Sequence, residues 1–188
     1  MKTLIIAWLL FFVSHSVFAA TPVKAYFEKR ISTQSYRLGY NVLSLLLMVW
    51  VLYLMIYGEK TFVFKCHIVP YVIGSILIFI GLYIMNTAFK HINIAAFLGL
   101  KSLKMESSGL NTEGVYAVVR HPLYWGITLV LVGLFIFMPY YSLLISMIMG
   151  ILYMVIGIEF EEKKLRKDFG KAYEDYALGK KKFLPFLY

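Results

Sequence analysis

A single cysteine, Cys66, stands in the whole chain, which excludes an intrachain disulfide, a cysteine-based zinc site and a redox pair. Acidic side chains are also scarce: 10 Asp and Glu against 19 Lys and Arg leave a net charge of +9. Such an excess can signal nucleic acid. Here, however, the basic residues flank apolar blocks, where they meet anionic headgroups and set orientation, and nucleic-acid binding is set aside. Also missing is the polar majority of a soluble domain. Hydrophobic residues make up 61% of the 188 positions and mean hydropathy is +0.74, whereas soluble domains use roughly 45–50% apolar residues. The bilayer is the main solvent for this chain.

What is present comes in blocks. Apolar stretches fall at 3–20, 41–57, 70–89, 122–138 and 140–160, each near the roughly 20 residues that cross about 30 Å of hydrocarbon. The expected fold is an all-α, polytopic membrane helix bundle of five spans, ending in an amphipathic C-terminal helix. Residues 1–100 would supply the N-terminal spans and 101–188 the functional module. The first block also has the form of a cleavable signal, with Lys2, an apolar run from Leu4 to Val13 and small residues at Ala19 and Ala20. Charge decides for a retained span. Segments 21–40, 90–121 and the tail after Phe160 hold 16 of the 19 basic residues, and all three lie on one side if every block spans. The positive-inside tendency then places the N-terminus outside and the C-terminus in the cytoplasm.

Glycines recur seven residues apart in three blocks, as Gly74 and Gly81, Gly126 and Gly133, and Gly150 and Gly157. Each pair shares a helix face, and close backbone approach is what binds helices together in lipid. Met138-Pro139-Tyr140 leaves almost no loop between the last two blocks, so these form a tight antiparallel hairpin. In the tail, Leu165, Phe169, Ala172, Tyr173 and Tyr176 share one face of an expected helix from Glu159 to about Tyr176. That helix would lie on the headgroups or fold back as a lid over a site open to the cytoplasm.

Polar residues concentrate in 101–126 and in the tail, and the hairpin brings His121 and Glu161 to one membrane level. Pro122 suits the first turn of a helix, whose free N–H groups would form an anion site beside Arg120. Taken by spacing alone, Arg120, His121, Tyr124 and Trp125 read equally well as interface anchors that reach for headgroups.

The run GVYAVVRHPLYWG, followed by EEKKLRKDFGKAYEDY and a closing FLPF, resembles the C-terminal signature of isoprenylcysteine carboxyl methyltransferases and related membrane methyltransferases. The likeness covers about residues 108–187. It implies an S-adenosylmethionine-dependent enzyme without a Rossmann fold, most closely of the carboxyl O-methyltransferase type. The acceptor it implies is an amphiphile resident in the bilayer, either isoprenylcysteine carboxylate-like or a lipid. Carried over position by position, the cofactor contacts would be Tyr116, His121, Pro122, Leu123, Tyr124 and Glu161. Ser108, Gly109, Leu110 and Asn111 match the family's preceding segment imperfectly. The cofactor's carboxylate would suit the helix start at Pro122 with Arg120 near it, its ammonium or ribose hydroxyls Glu161, and its adenine or sulfonium the faces of Tyr116 and Tyr124. Arg120 is the candidate for aligning the acceptor, and no residue is assigned as a base.

One position departs from the pattern. Animal isoprenylcysteine enzymes carry a substrate-engaging arginine four residues before the first glutamate, where this chain has Gly157. The expectation is an apolar acceptor entering from the lipid, with weak turnover of farnesylcysteine analogues, and a Gly157 that serves helix packing. Two other readings remain open: a sterol-type reductase relative using NADPH, and a non-catalytic membrane protein that keeps the cofactor scaffold.

Overall fold

In hydrocarbon an isolated apolar segment satisfies its backbone polar groups only as a helix, and the apolar blocks all do so. The structure is a computed structural model that describes residues 1–64, 68–90 and 109–183. Cys66, Ser108 and most of the closing FLPF run lie outside the described residues. Among those described, the helices are α1 (Lys2–Ala19), α2 (Thr21–Glu28), α3 (Thr33–Tyr57), α4 (Ile68–Phe89), α5 (Pro122–Phe137), α6 (Tyr141–Phe169) and α7 (Lys171–Ala177), with a 3-10 turn at Gly114–Ala117. No strand occurs among them, only isolated bridges.

Four helices, α1, α3, α4 and α6, are long and apolar enough to cross a membrane. The shorter apolar helix α5 has 16 residues, or about 24 Å at 1.5 Å per residue. Its 29-residue partner α6 extends about 43 Å, so its polar end projects beyond a hydrocarbon layer of about 30 Å.

Two compact units divide the chain. In the first, whose described part is Met1–Thr61, α1 and α3 run antiparallel with α2 between them. Pro22 opens α2 at a position where its missing N–H costs nothing. The Ser32 hydroxyl caps α3 by accepting from the Ser35 N–H at 3.0 Å. Polar contacts register the two long helices: the Tyr36 hydroxyl donates to the Phe18 carbonyl, and the Tyr40 hydroxyl and His15 ring meet at 2.9 Å.

The second unit takes in α4 as well as everything described after residue 108. Here the glycine spacing finds its purpose. A Cβ on Gly81 would sit 2.6 Å from the Gly126 carbonyl oxygen, and one on Gly74 would sit 2.7 Å from that of Gly133. The α4 and α5 backbones therefore touch at two points two turns apart, running antiparallel. The third pair behaves differently. A Cβ on Gly150 would meet the Leu131 side chain, and one on Gly157 would meet nothing within 4 Å among the described residues, so Gly157 makes no close backbone contact there. At the far end of the α5–α6 hairpin, the Val63 N–H donates to the Pro139 carbonyl at 2.7 Å and the Phe62 and Tyr140 rings pack 4.7 Å apart.

The C-terminal helix also departs from expectation. Instead of a separate element starting at Glu159, α6 runs unbroken from Tyr141 to Phe169. Glu, Lys, Leu and Arg in this stretch are all strong helix formers, and nothing interrupts them. The break comes at Gly170, whose φ of 53° suits a residue without a side chain. Only the short α7 follows, with Tyr173 as its buried anchor.

Candidate active site

Pro122 begins α5 as the sequence predicts, and the chain just before it is pinned by the tail. The Arg120 and His121 N–H groups donate to the carbonyls of Lys181 and Lys182 at 2.9 and 3.0 Å. Val119 and Phe183 are buried on either side of this crossing. Further ties come from the Tyr176 hydroxyl, which donates to the Tyr116 carbonyl at 2.7 Å, and from the Lys180 ammonium, which donates to the Ala117 carbonyl at 2.6 Å. The segment 115–121 is thus strapped by residues 176–182.

The two adjacent glutamates at the end of the apolar part of α6 have opposite environments. Successive helical residues point about 100° apart, so only one can continue the buried i+4 row of Ser146, Gly150, Met154 and Ile158. That one is Glu162, whose side chain is wholly buried, while Glu161 is 45% exposed. Arg120 meets Glu162 Oε1 with two nitrogens, Nε at 2.8 Å and Nη2 at 2.7 Å. Its Nη1 donates to the Ala177 and Lys180 carbonyls. Arg166, one turn along α6, donates to Glu162 Oε2 at 3.0 Å. A buried carboxylate needs such company, because an unpaired one would cost several kcal/mol.

His121 lies between the two carboxylates. Its Nε2 is 3.4 Å from Glu162 Oε1 and its Nδ1 is 3.6 Å from Glu161 Oε2. The ring is buried and stacks on Tyr124 at 5.7 Å. Around this group the phenols are held protonated. Burial, and then the charge of Glu161, raises the Tyr116 hydroxyl above its ordinary value. Burial followed by Glu162 does the same more strongly for Tyr173. Tyr176 is pushed up to about 12, chiefly by burial.

Of the residues singled out in the sequence, His121, Pro122, Tyr124 and Glu161 come together here, with Leu123 in the same first turn of α5. Tyr116 joins through the charge of Glu161. Gly109, Leu110 and Asn111 lead into the 3-10 turn, and the Asn111 side chain is spent locally, accepting from the Glu113 N–H. Arg120 has a guanidinium only 9% exposed, which meets Glu162 and donates to two backbone carbonyls of the tail. Glu162, Arg166, Tyr173 and Tyr176 were missed as parts of the site. The i+4 row ending at Glu162, and the i+4 spacing to Arg166, were the signals available for the first two.

The chain is thus an all-helical membrane protein in which a polar cluster caps one end of a helical hairpin. Residues 69–172, more than half of the chain, match the phospholipid methyltransferase family, and the chain belongs to that family. This is the same broad group of membrane methyltransferases as the isoprenylcysteine carboxyl methyltransferases. Neither the curated proteins nor the solved structures contain a match to it. The match begins at α4 and ends within α7, and thus includes both the glycine-packed helices and the two glutamates.

Proposed function

We propose that this protein transfers a methyl group from S-adenosylmethionine to the polar head of an amphiphile resident in the bilayer, at a site facing the cytoplasm. The observation that carries this reading is the unequal glutamate pair. Glu162 is consumed by Arg120 and Arg166, which leaves Glu161 outward beside His121 as an available acceptor. Family membership supports methyl transfer to a lipid-like substrate.

The residues present fit the cofactor. S-Adenosylmethionine, when bound, supplies an activated methyl group on a positively charged sulfur. The Glu161 carboxylate would accept from its ammonium or ribose hydroxyls, and the first turn of α5, which Pro122 opens without a donor of its own, would face its carboxylate with backbone N–H groups from Leu123 onward. With Arg120 occupied, the helix end acts there without a cationic side chain. The Tyr116 and Tyr124 rings offer π faces to the adenine or sulfonium. His121, held between the glutamates, would fix the outward direction of Glu161.

For the acceptor, the open space beside Gly157 supports a lipid over a prenylcysteine carboxylate. No side chain at that position can pair with an acid group, whereas an arginine there would do so bidentately. A carboxylate acceptor would need only alignment and desolvation, being ionised at neutral pH. An amine head would also have to lose a proton. Radiolabelled transfer to whole lipid extract and to a farnesylcysteine analogue, run side by side, distinguishes them. A lipid product is expected, and methylation of the farnesylcysteine analogue alone would restore the carboxyl O-methyltransferase assignment.

Binding is tested by calorimetry of S-adenosylmethionine on Glu161→Gln and His121→Ala. Losing one charge-assisted hydrogen bond costs about 1.5–3 kcal/mol, roughly ten- to more than a hundredfold in affinity. Unchanged affinity in both folded variants would overturn the site. Sidedness is tested by a cysteine at position 182 in a Cys66→Ser background in intact cells, where labelling by a membrane-impermeant reagent would refute the cytoplasmic orientation.

A further inference from the structure

We propose that the α1–α3 hairpin carries a binding site of its own for one anionic phospholipid, seated where α2 bridges the two long helices. A cavity of about 260 Å³ opens there, walled by Phe18, Phe27, Ile31, Tyr36, Gly39 and Leu43 among others. Its walls are fixed. The Tyr36 hydroxyl donates to the Phe18 carbonyl at 2.7 Å, and the Tyr36 ring stacks on Phe27 at 5.5 Å.

Gly39 gives the cavity its meaning. Glycine weakens a helix relative to alanine, and it is retained in membrane helices mostly where backbones touch. Gly39 lies inside α3, yet a Cβ there would meet nothing within 4 Å among the described residues. Its missing side chain serves no packing contact; it leaves room in the cavity wall.

The segment that contributes most of the cavity wall supplies the second half of the site. Segment 21–40 carries Lys24, Lys29, Arg30 and Arg37 against one carboxylate, Glu28. Lys24 pairs with Glu28 at 3.7 Å, Lys29 and Arg30 have exposed side chains, and the segment's net charge is +3. Arg30 stacks over the Tyr26 ring at 4.8 Å, an arrangement that leaves its N–H edge for a phosphate. The cavity lies at the ends of two long apolar helices, where headgroups lie. Its size suits part of one acyl chain and not a whole lipid. Aromatic walls within a cationic segment therefore fit a phosphate-bearing lipid gripped by its headgroup and the upper part of one chain.

The test uses the purified full-length chain in detergent, with native mass spectrometry reading bound lipid after exposure to phosphatidylglycerol or phosphatidylcholine of matched chains. Phosphatidylglycerol is expected to be retained on the order of tenfold more. Gly39→Leu, which fills the cavity without meeting a described atom at Cβ, should lower the number of lipids retained per chain by one, leaving any lipid at the acceptor site in place. Lys29→Gln with Arg30→Gln, both on exposed side chains, should remove only the preference, and this variant carries the test if Gly39→Leu does not elute as a folded species. Excess inorganic phosphate should fail to displace the bound lipid, because it lacks the chain. Equal retention of the two lipids, undiminished retention by folded Gly39→Leu, or displacement by phosphate alone would each overturn the proposal. Since binding is read directly, the outcome is independent of whether the chain transfers methyl groups.

Discussion

Replacing Glu162 by glutamine removes the charge on which three elements converge while nearly preserving side-chain volume. The carboxylate is wholly buried and accepts from Arg120 Nε and Nη2 at 2.7–2.8 Å and from Arg166 at 3.0 Å. Removing one partner of a buried ion pair typically costs about 3–5 kcal/mol, because the other charge is left uncompensated. Two features place this case at the lower end. Arg120 keeps the Ala177 and Lys180 carbonyls as acceptors, and the 46%-exposed Arg166 can turn to solvent. We expect a loss of about 3 kcal/mol, a factor of roughly 100 in the folded fraction. Arg120→Met should cost less, since Glu162 then retains Arg166. The double variant Arg120→Met, Glu162→Met should recover much of the loss, as paired replacement of buried ions by apolar groups is often near neutral. Equilibrium unfolding in mixed micelles across the four-member cycle measures each term. Glu162→Gln within about 0.5 kcal/mol of the parent, or a double variant no better than the sum of the singles, would refute the reading of Glu162 as the hub of the cap.

Two further outcomes follow from the geometry. Gly81→Leu should separate α4 from α5, because even its Cβ would lie 2.6 Å from the Gly126 carbonyl; cross-linking between cysteines at positions 71 and 137, where the Tyr71 and Phe137 rings pack 5.2 Å apart, should drop, and unchanged cross-linking would refute the close approach. Burial raises Tyr176 to about 12 from its ordinary value near 10. Its folded form therefore holds a proton that the unfolded chain releases. That contribution is complete below about pH 10 and lost as pH rises through about 12. Tyr176→Phe should remove it, along with about 1 kcal/mol for the hydrogen bond to the Tyr116 carbonyl, read as a smaller pH dependence of unfolding on the alkaline side.

Hydropathy alone determined that this is a helical membrane protein, because lipid leaves an apolar segment no other way to satisfy its backbone. Pro139 marked the hairpin and Pro122 the start of α5, since proline acts locally through its ring and missing donor. The seven-residue spacing identified the α4 and α5 contact faces, yet the same spacing at Gly157 carries no close backbone contact among the described residues. A repeat says which residues share a face, not whether another backbone arrives there. The motifs located His121, Tyr124 and Glu161 together, but two neighbouring glutamates are chemically identical in a sequence. Only the packing of α6 against α5 and the tail decided that Glu162 turns inward to Arg120 while Glu161 stays outward. The same packing withdrew Arg120 from solvent, because a carboxylate buried in the cap has to be met by a cation, and Arg120 is one that the strap from residues 176–182 holds in place.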